Sequence, residues 1–166
     1  LASKPDAFLQ EINVGLHRIF RKVSTSIFVT SCYLVADILE RKVVYANAGH
    51  PPPLLLRRSE KRLIPLGALN DDPDIALGLA GDVRYTLQEV SVRKNDSLIL
   101  YTDGVFEAEN QEGVQLGMQP FRDWVLDQSS QSISQLLESL MENLEEFCGT
   151  KEFGDDVCLF GVDFLR

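Results

Sequence analysis

The run Ser97-Leu-Ile-Leu-Tyr-Thr-Asp-Gly-Val105 constrains this chain more than any other stretch. Leu98, Ile99, Leu100 and Tyr101 form a short, continuous apolar run, partly β-branched or aromatic. That pattern predicts a buried strand and not a helix. Asp103-Gly104 then stops it. A carboxylate at the end of a rigid core strand is fixed by the strand and left accessible by the turn, as a metal ligand must be. An Asp-Gly turn whose side chain caps its own backbone accounts for the same residues.

Organisation along the chain follows from periodicity. A helix is expected from Ser3 to about Lys22, capped by Ser3, with Phe8, Leu9, Ile12, Leu16, Ile19 and Phe20 on one face. His17 sits at the edge of that face and is read as a half-exposed helix residue. Strands are expected over Ile27–Ile38 and Lys42–Ala46, joined as a hairpin through Asp37–Arg41. Ala46-Asn-Ala-Gly-His-Pro-Pro-Pro53 breaks the sheet, because three prolines cannot continue a central strand. A second hairpin pairs Leu54–Arg57 with Arg62–Leu66. Gly67–Asp82 reads as a loop in which Asp71, Asp72 and Asp74 form a solvated acidic patch. Val83–Val92 alternates as a strand. After Gly104 come a polar, partly helical stretch, a helix over Gln119–Asp127 and an amphipathic helix over Ser132–Cys148. A final strand is expected over Cys158–Leu165, preceded by Asp155-Asp156. Strand runs flanked by helices predict an α+β fold.

Composition excludes several classes. The chain has 166 residues, 45% of them apolar, so one domain with a sizeable core is expected, covering 1–166. Twenty-five acidic against 16 basic residues leave a net charge of −9. That charge repels a phosphate backbone and argues against nucleic acid as a partner. No apolar run approaches the roughly 20 residues a bilayer requires, so no membrane insertion is expected. Cys32, Cys148 and Cys158 have no metal-type spacing and read as buried thiols of a reducing, cytoplasmic setting.

Asp103 ends one strand, and Asp155 and Asp156 lead into another. If the two strands are neighbours, these carboxylates converge at one sheet edge. Carboxylates without a histidine or thiol partner select hard cations, Mg²⁺ or Mn²⁺. Such ions invert the local field, so an acidic protein can handle a phosphorylated substrate. His50 admits two roles, general acid or ligand on one side and a ring that stiffens the Gly-Pro turn on the other.

The chain resembles the PPM-type metal-dependent serine/threonine protein phosphatases, in their SpoIIE-like or RsbU-like bacterial branch. The residues that carry this are Tyr45-Ala-Asn-Ala-Gly-His-Pro-Pro52, Leu77-Gly-Leu79, Leu98-Ile-Leu-Tyr-Thr-Asp-Gly-Val-Phe-Glu-Ala108 and Asp155-Asp-Val157. The resemblance implies an αββα sandwich of antiparallel sheets with a two-metal centre, Mn²⁺ or Mg²⁺, at one edge. It makes Asp103 and Asp155 ligands, with Gly104 contributing backbone, Asp156 a further ligand or a neighbour behind it, and His50 part of the scaffold. It implies a metal-activated water attacking phosphoserine or phosphothreonine of a regulatory protein, such as an anti-anti-sigma factor. A sensor or receiver domain is expected in the parent chain. The pattern departs from the family at two points. The early aspartates are absent, so an N-terminally truncated domain is expected, inactive alone and with sheet edges open to homodimerisation. Cys158 stands where a threonine is usual. The competing reading is a non-catalytic, phosphatase-like binding module.

Overall fold

The computed structural model describes residues 3–22, 27–67 and 75–165. The chain forms two compact units: Leu1–His50 with Gly67–Val92, and Pro51–Leu66 with Arg93–Arg166. The expected acidic patch at Asp71, Asp72 and Asp74 lies outside the described residues.

The first unit packs helix α1 (Pro5–Phe20) on a three-stranded antiparallel sheet of β1 (Ser31–Asp37), β2 (Lys42–Ala48) and β5 (Gln88–Ser91). Its strand order is β1-β2-β5. Leu9, Ala46, Ala48, Leu77, Val83 and Tyr85 form the core, with Phe8 stacked on Tyr33 at 4.3 Å. The helix begins one residue later than expected. Lys4 is the N-cap, a residue with no acceptor to offer, so no side chain caps the helix, and Pro5 takes the first position, where its missing N–H costs nothing. The expected strand 27–38 is shorter, since only 31–37 find a full partner in β2, and Val29 makes an isolated bridge to Leu77. The alternating 83–92 stretch is likewise cut to four residues. Val83 and Tyr85 are buried in the core but lie outside the ladder with β2, which starts at Gln88.

The second unit is a four-stranded antiparallel sheet, ordered β4-β3-β6-β7, with β3 at Leu54–Arg57, β4 at Arg62–Pro65, β6 at Ser97–Tyr101 and β7 at Leu159–Asp163. Three helices follow β6: α2 (Gly104–Glu107), α3 (Met118–Asp127) and α4 (Ile133–Cys148). Leu54, Leu56, Ile99, Tyr101, Phe121, Val125, Leu136, Leu140 and Leu144 fill one core between strands and helices. Ser132 starts α4 with a complete capping box to Gln135, and Gly149 ends it at φ 68°. Gly161 leaves room for Ile133 and Leu137 of α4 to lie against β7. Antiparallel sheets covered by helices make the fold α+β, as expected.

The cysteines depart from expectation. Cys148 is buried, Cys32 is half-buried and Cys158 is exposed. β7 is an edge strand, and Cys158 lies just before it, where the burial imposed by the central strands ends.

Candidate metal centre

Strand pairing builds the site. β6 and β7 are antiparallel neighbours with Leu100 opposite Phe160 and Tyr101 opposite Leu159. Extending that register places Thr102 beside Cys158 and brings Asp103 to the segment 155–157. The condition set by the sequence, that the two aspartate-bearing strands adjoin, is met.

Thr102 ties the two segments together. Its N–H donates to the Cys158 carbonyl at 3.1 Å. Its hydroxyl donates to the Asp156 carbonyl at 2.7 Å and accepts from the Cys158 N–H at 2.9 Å. The sequence reading quoted this threonine within its motif and gave it no role. A hydroxyl placed one residue after a strand end and one before the candidate ligand was the available signal.

Asp103 is exposed and is the N-cap of α2, accepting from the Gly104 N–H at 3.2 Å. The capping and the accessible carboxylate, offered by the sequence as alternatives, occur together. Asp155 is also exposed and accepts from the Asp156 N–H at 2.7 Å. Asp156 is exposed, with its carbonyl turned to Thr102. Gly104 is buried, and a Cβ on it would lie 2.6 Å from the Asp156 carbonyl oxygen. Only glycine therefore lets the segment 155–156 come this close to the start of α2.

A cleft of about 430 Å³ adjoins this edge, lined by Gly104 and Asp155 and by Glu107, Glu109, Glu152 and Gln115 among others. The glutamates were not singled out in the sequence, because nothing local marks Glu152 as a neighbour of Glu107 and Glu109.

His50 is half-buried in the first unit. Its N–H donates to Asn47 Oδ1 at 2.9 Å and its carbonyl accepts from Asn47 Nδ2 at 2.8 Å. Those two bonds lock the turn after β2, which also needs Gly49 at φ 74°.

Asp103 and Asp155 offer carboxylate oxygens at this edge, and donors of that kind suit Mg²⁺ or Mn²⁺. They fall short in number. Among the described residues no group of three or more His, Cys, Asp or Glu is placed to hold a metal ion. Among the same residues no helix is long and apolar enough to cross a membrane.

The chain is similar to known proteins in sequence and in fold. Phosphoserine phosphatase RsbP of Bacillus subtilis is 26% identical over 160 residues, 96% of this chain and 37% of RsbP. The SiaA-PP2C domain of Pseudomonas aeruginosa superposes with a TM-score of 0.78 at 20% identity, over 96% of this chain and 61% of that one. The phosphatase domain of the cell fate determinant SpoIIE from Bacillus subtilis, presoaked with Mn, gives 0.61 at 16% identity, over 95% of this chain and 70% of that one. The chain thus spans little more than a third of RsbP and about three fifths of the SiaA chain. The family model for Stage II sporulation protein E (SpoIIE) matches residues 1–165. With that match spanning nearly every residue, the chain belongs to the SpoIIE family.

Proposed function

We propose that residues 1–166 form a single phosphatase domain of bacterial signalling that removes phosphate from serine or threonine of a regulatory protein. The observation that carries this is the convergence of Asp103 and Asp155 at one end of the β6–β7 pair, in a chain whose relative RsbP is named a phosphoserine phosphatase. The Mn presoak of the SpoIIE phosphatase domain supports a divalent ion as the group held there.

Asp103 and Asp155 would hold the ion through their exposed carboxylates, with further carboxylates supplied from outside this chain. When bound, a divalent pair supplies an activated water and a positive clamp for phosphoryl oxygens. Gly104 keeps the floor of the site thin enough for both carboxylates to share it. Thr102 fixes the backbone behind Asp155. Glu107, Glu109 and Glu152 give the adjoining cleft an acidic wall that repels free phosphate and favours a cationic flank on the substrate. A phosphorylated protein such as an anti-anti-sigma factor is the substrate class. A sensor or receiver domain in the parent chain, and a cytoplasmic setting, complete the reading.

One observation favours a second reading. With no three-ligand group among the described residues, the chain would serve as a non-catalytic, phosphatase-like binding module. Manganese-dependent hydrolysis of a phosphoserine peptide separates the two. It is measured for this chain, for the chain extended upstream in its parent gene, and for Asp103→Asn in each. Activity that requires Mn²⁺ and is lost in Asp103→Asn supports the enzyme. An extended chain without activity, or one indifferent to Asp103→Asn, overturns it in favour of the module.

A further inference from the structure

We infer that Thr102 is a positioning residue for the metal edge, setting where Asp155 stands relative to Asp103. The inference rests on the metal reading of those two aspartates.

Thr102 makes three hydrogen bonds to the 156–158 segment, at 2.7, 2.9 and 3.1 Å. The two from its hydroxyl do what the ladder alone does not. Regular pairing of β6 with β7 ends at Tyr101 opposite Leu159. Beyond that point the chain leading to β7 is exposed at 154, 155, 156 and 158, with Phe153 and Val157 packed on the core at either end, so the aspartates between them have no packing of their own. The hydroxyl continues the pairing: it accepts from the Cys158 N–H and donates to the Asp156 carbonyl. Holding that carbonyl fixes the 156–157 peptide, one residue beyond Asp155. The same carbonyl is the atom that Gly104 admits at close range. Thr102 and Gly104 flank Asp103 in sequence and grip one carbonyl from two sides, so Asp103 and Asp155 share a common frame. Partners that orient a ligand from behind commonly govern metal affinity by about 10–100-fold when removed. The hydroxyl bonds are solvent-accessible, so water replaces them in a variant and the fold survives. What is lost is the fixed position.

The test is a Mn²⁺ titration of the chain extended upstream in its parent gene, read by paramagnetic broadening of the Asp103, Gly104 and Asp155 amide resonances. Thr102→Val keeps the shape and removes both hydroxyl bonds, and Thr102→Ala is the second variant should valine distort the strand end. Both are expected to shift the midpoint about tenfold upward, with Thr102→Ser restoring it. Amide dispersion and thermal midpoint without metal should stay close to those of the parent chain in Thr102→Ala. Asp103→Asn separates the two ways of failing. If it leaves the broadening unchanged, the metal reading falls and the inference with it. If Asp103→Asn weakens binding while Thr102→Val and Thr102→Ala match the parent chain, the positioning role alone is overturned. A serine variant no tighter than alanine overturns it too.

Discussion

Gly104 and Asp156 meet backbone to backbone, with 2.6 Å between the carbonyl oxygen of Asp156 and the place a Cβ on Gly104 would occupy. Both walls of that contact are main chain, so neither can rotate away. Gly104→Ala must push the 155–156 segment outward. A loss of about 1–3 kcal/mol is expected in denaturant unfolding. Gly154→Ala is the control, because nothing stands within 4 Å of its Cβ position, and it should stay within about 0.5 kcal/mol. Equal losses in the two would show that the close approach is unimportant.

Arg57 and Asp96 form a buried ion pair at 2.8 Å, and Asp96 also accepts from the Arg93 N–H at 2.9 Å. Removing Asp96 takes the carboxylate from a buried guanidinium and the acceptor from the Arg93 N–H. Asp96→Leu alone should cost about 3–5 kcal/mol. Replacing both, as Arg57→Met with Asp96→Leu, should cost less than the single change, and unfolding of the two variants checks the order.

Asn13 is fully buried on α1, donating to the Ala80 carbonyl and accepting from the Gly78 N–H, both at 2.8 Å. Asn13→Leu leaves two buried backbone groups without partners, for a loss of about 2–4 kcal/mol despite the added apolar surface. A thermal melt unchanged or raised would contradict this.

Tyr101 sets an alkaline limit. Burial pushes its phenol up to about 12, against about 10 in an unfolded chain, and its hydroxyl donates to the Pro52 carbonyl at 2.9 Å. The folded form keeps its proton longer, so the stability it contributes is whole below pH 10 and is lost between about pH 10 and 12. The melting temperature should fall through that window. In Tyr101→Phe the fall should be shallower, from a lower starting value. A parallel fall in both would remove Tyr101 as the cause.

The sequence carried the parts of the fold that depend on local pattern. The apolar stripe of α4 is read directly from spacing, and so is the strand leading to Asp103. What escaped depends on partners distant along the chain. Asn13 interrupts the apolar face of α1 and looks like a flaw until Gly78 and Ala80 are seen opposite it. The alternation at Val83 and Tyr85 marks burial, but burial without a ladder is not a strand. At the metal edge the aspartates were legible as residue types. Thr102 was not legible as a clamp, because its bonding partners lie 54 and 56 residues away.

Among the described residues β7 pairs with β6 alone. Native-state opening begins where few contacts hold the chain, and a strand held by one ladder has fewer to lose. When β7 peels back, the 155–156 segment leaves with it and Asp103 stands alone, while the core around Ile99, Phe121 and Leu140 persists. The carboxylate pair is therefore a property of the closed sheet and not of the folded chain at large. Whatever this edge binds or does should fade with warming well before the rest of the molecule melts.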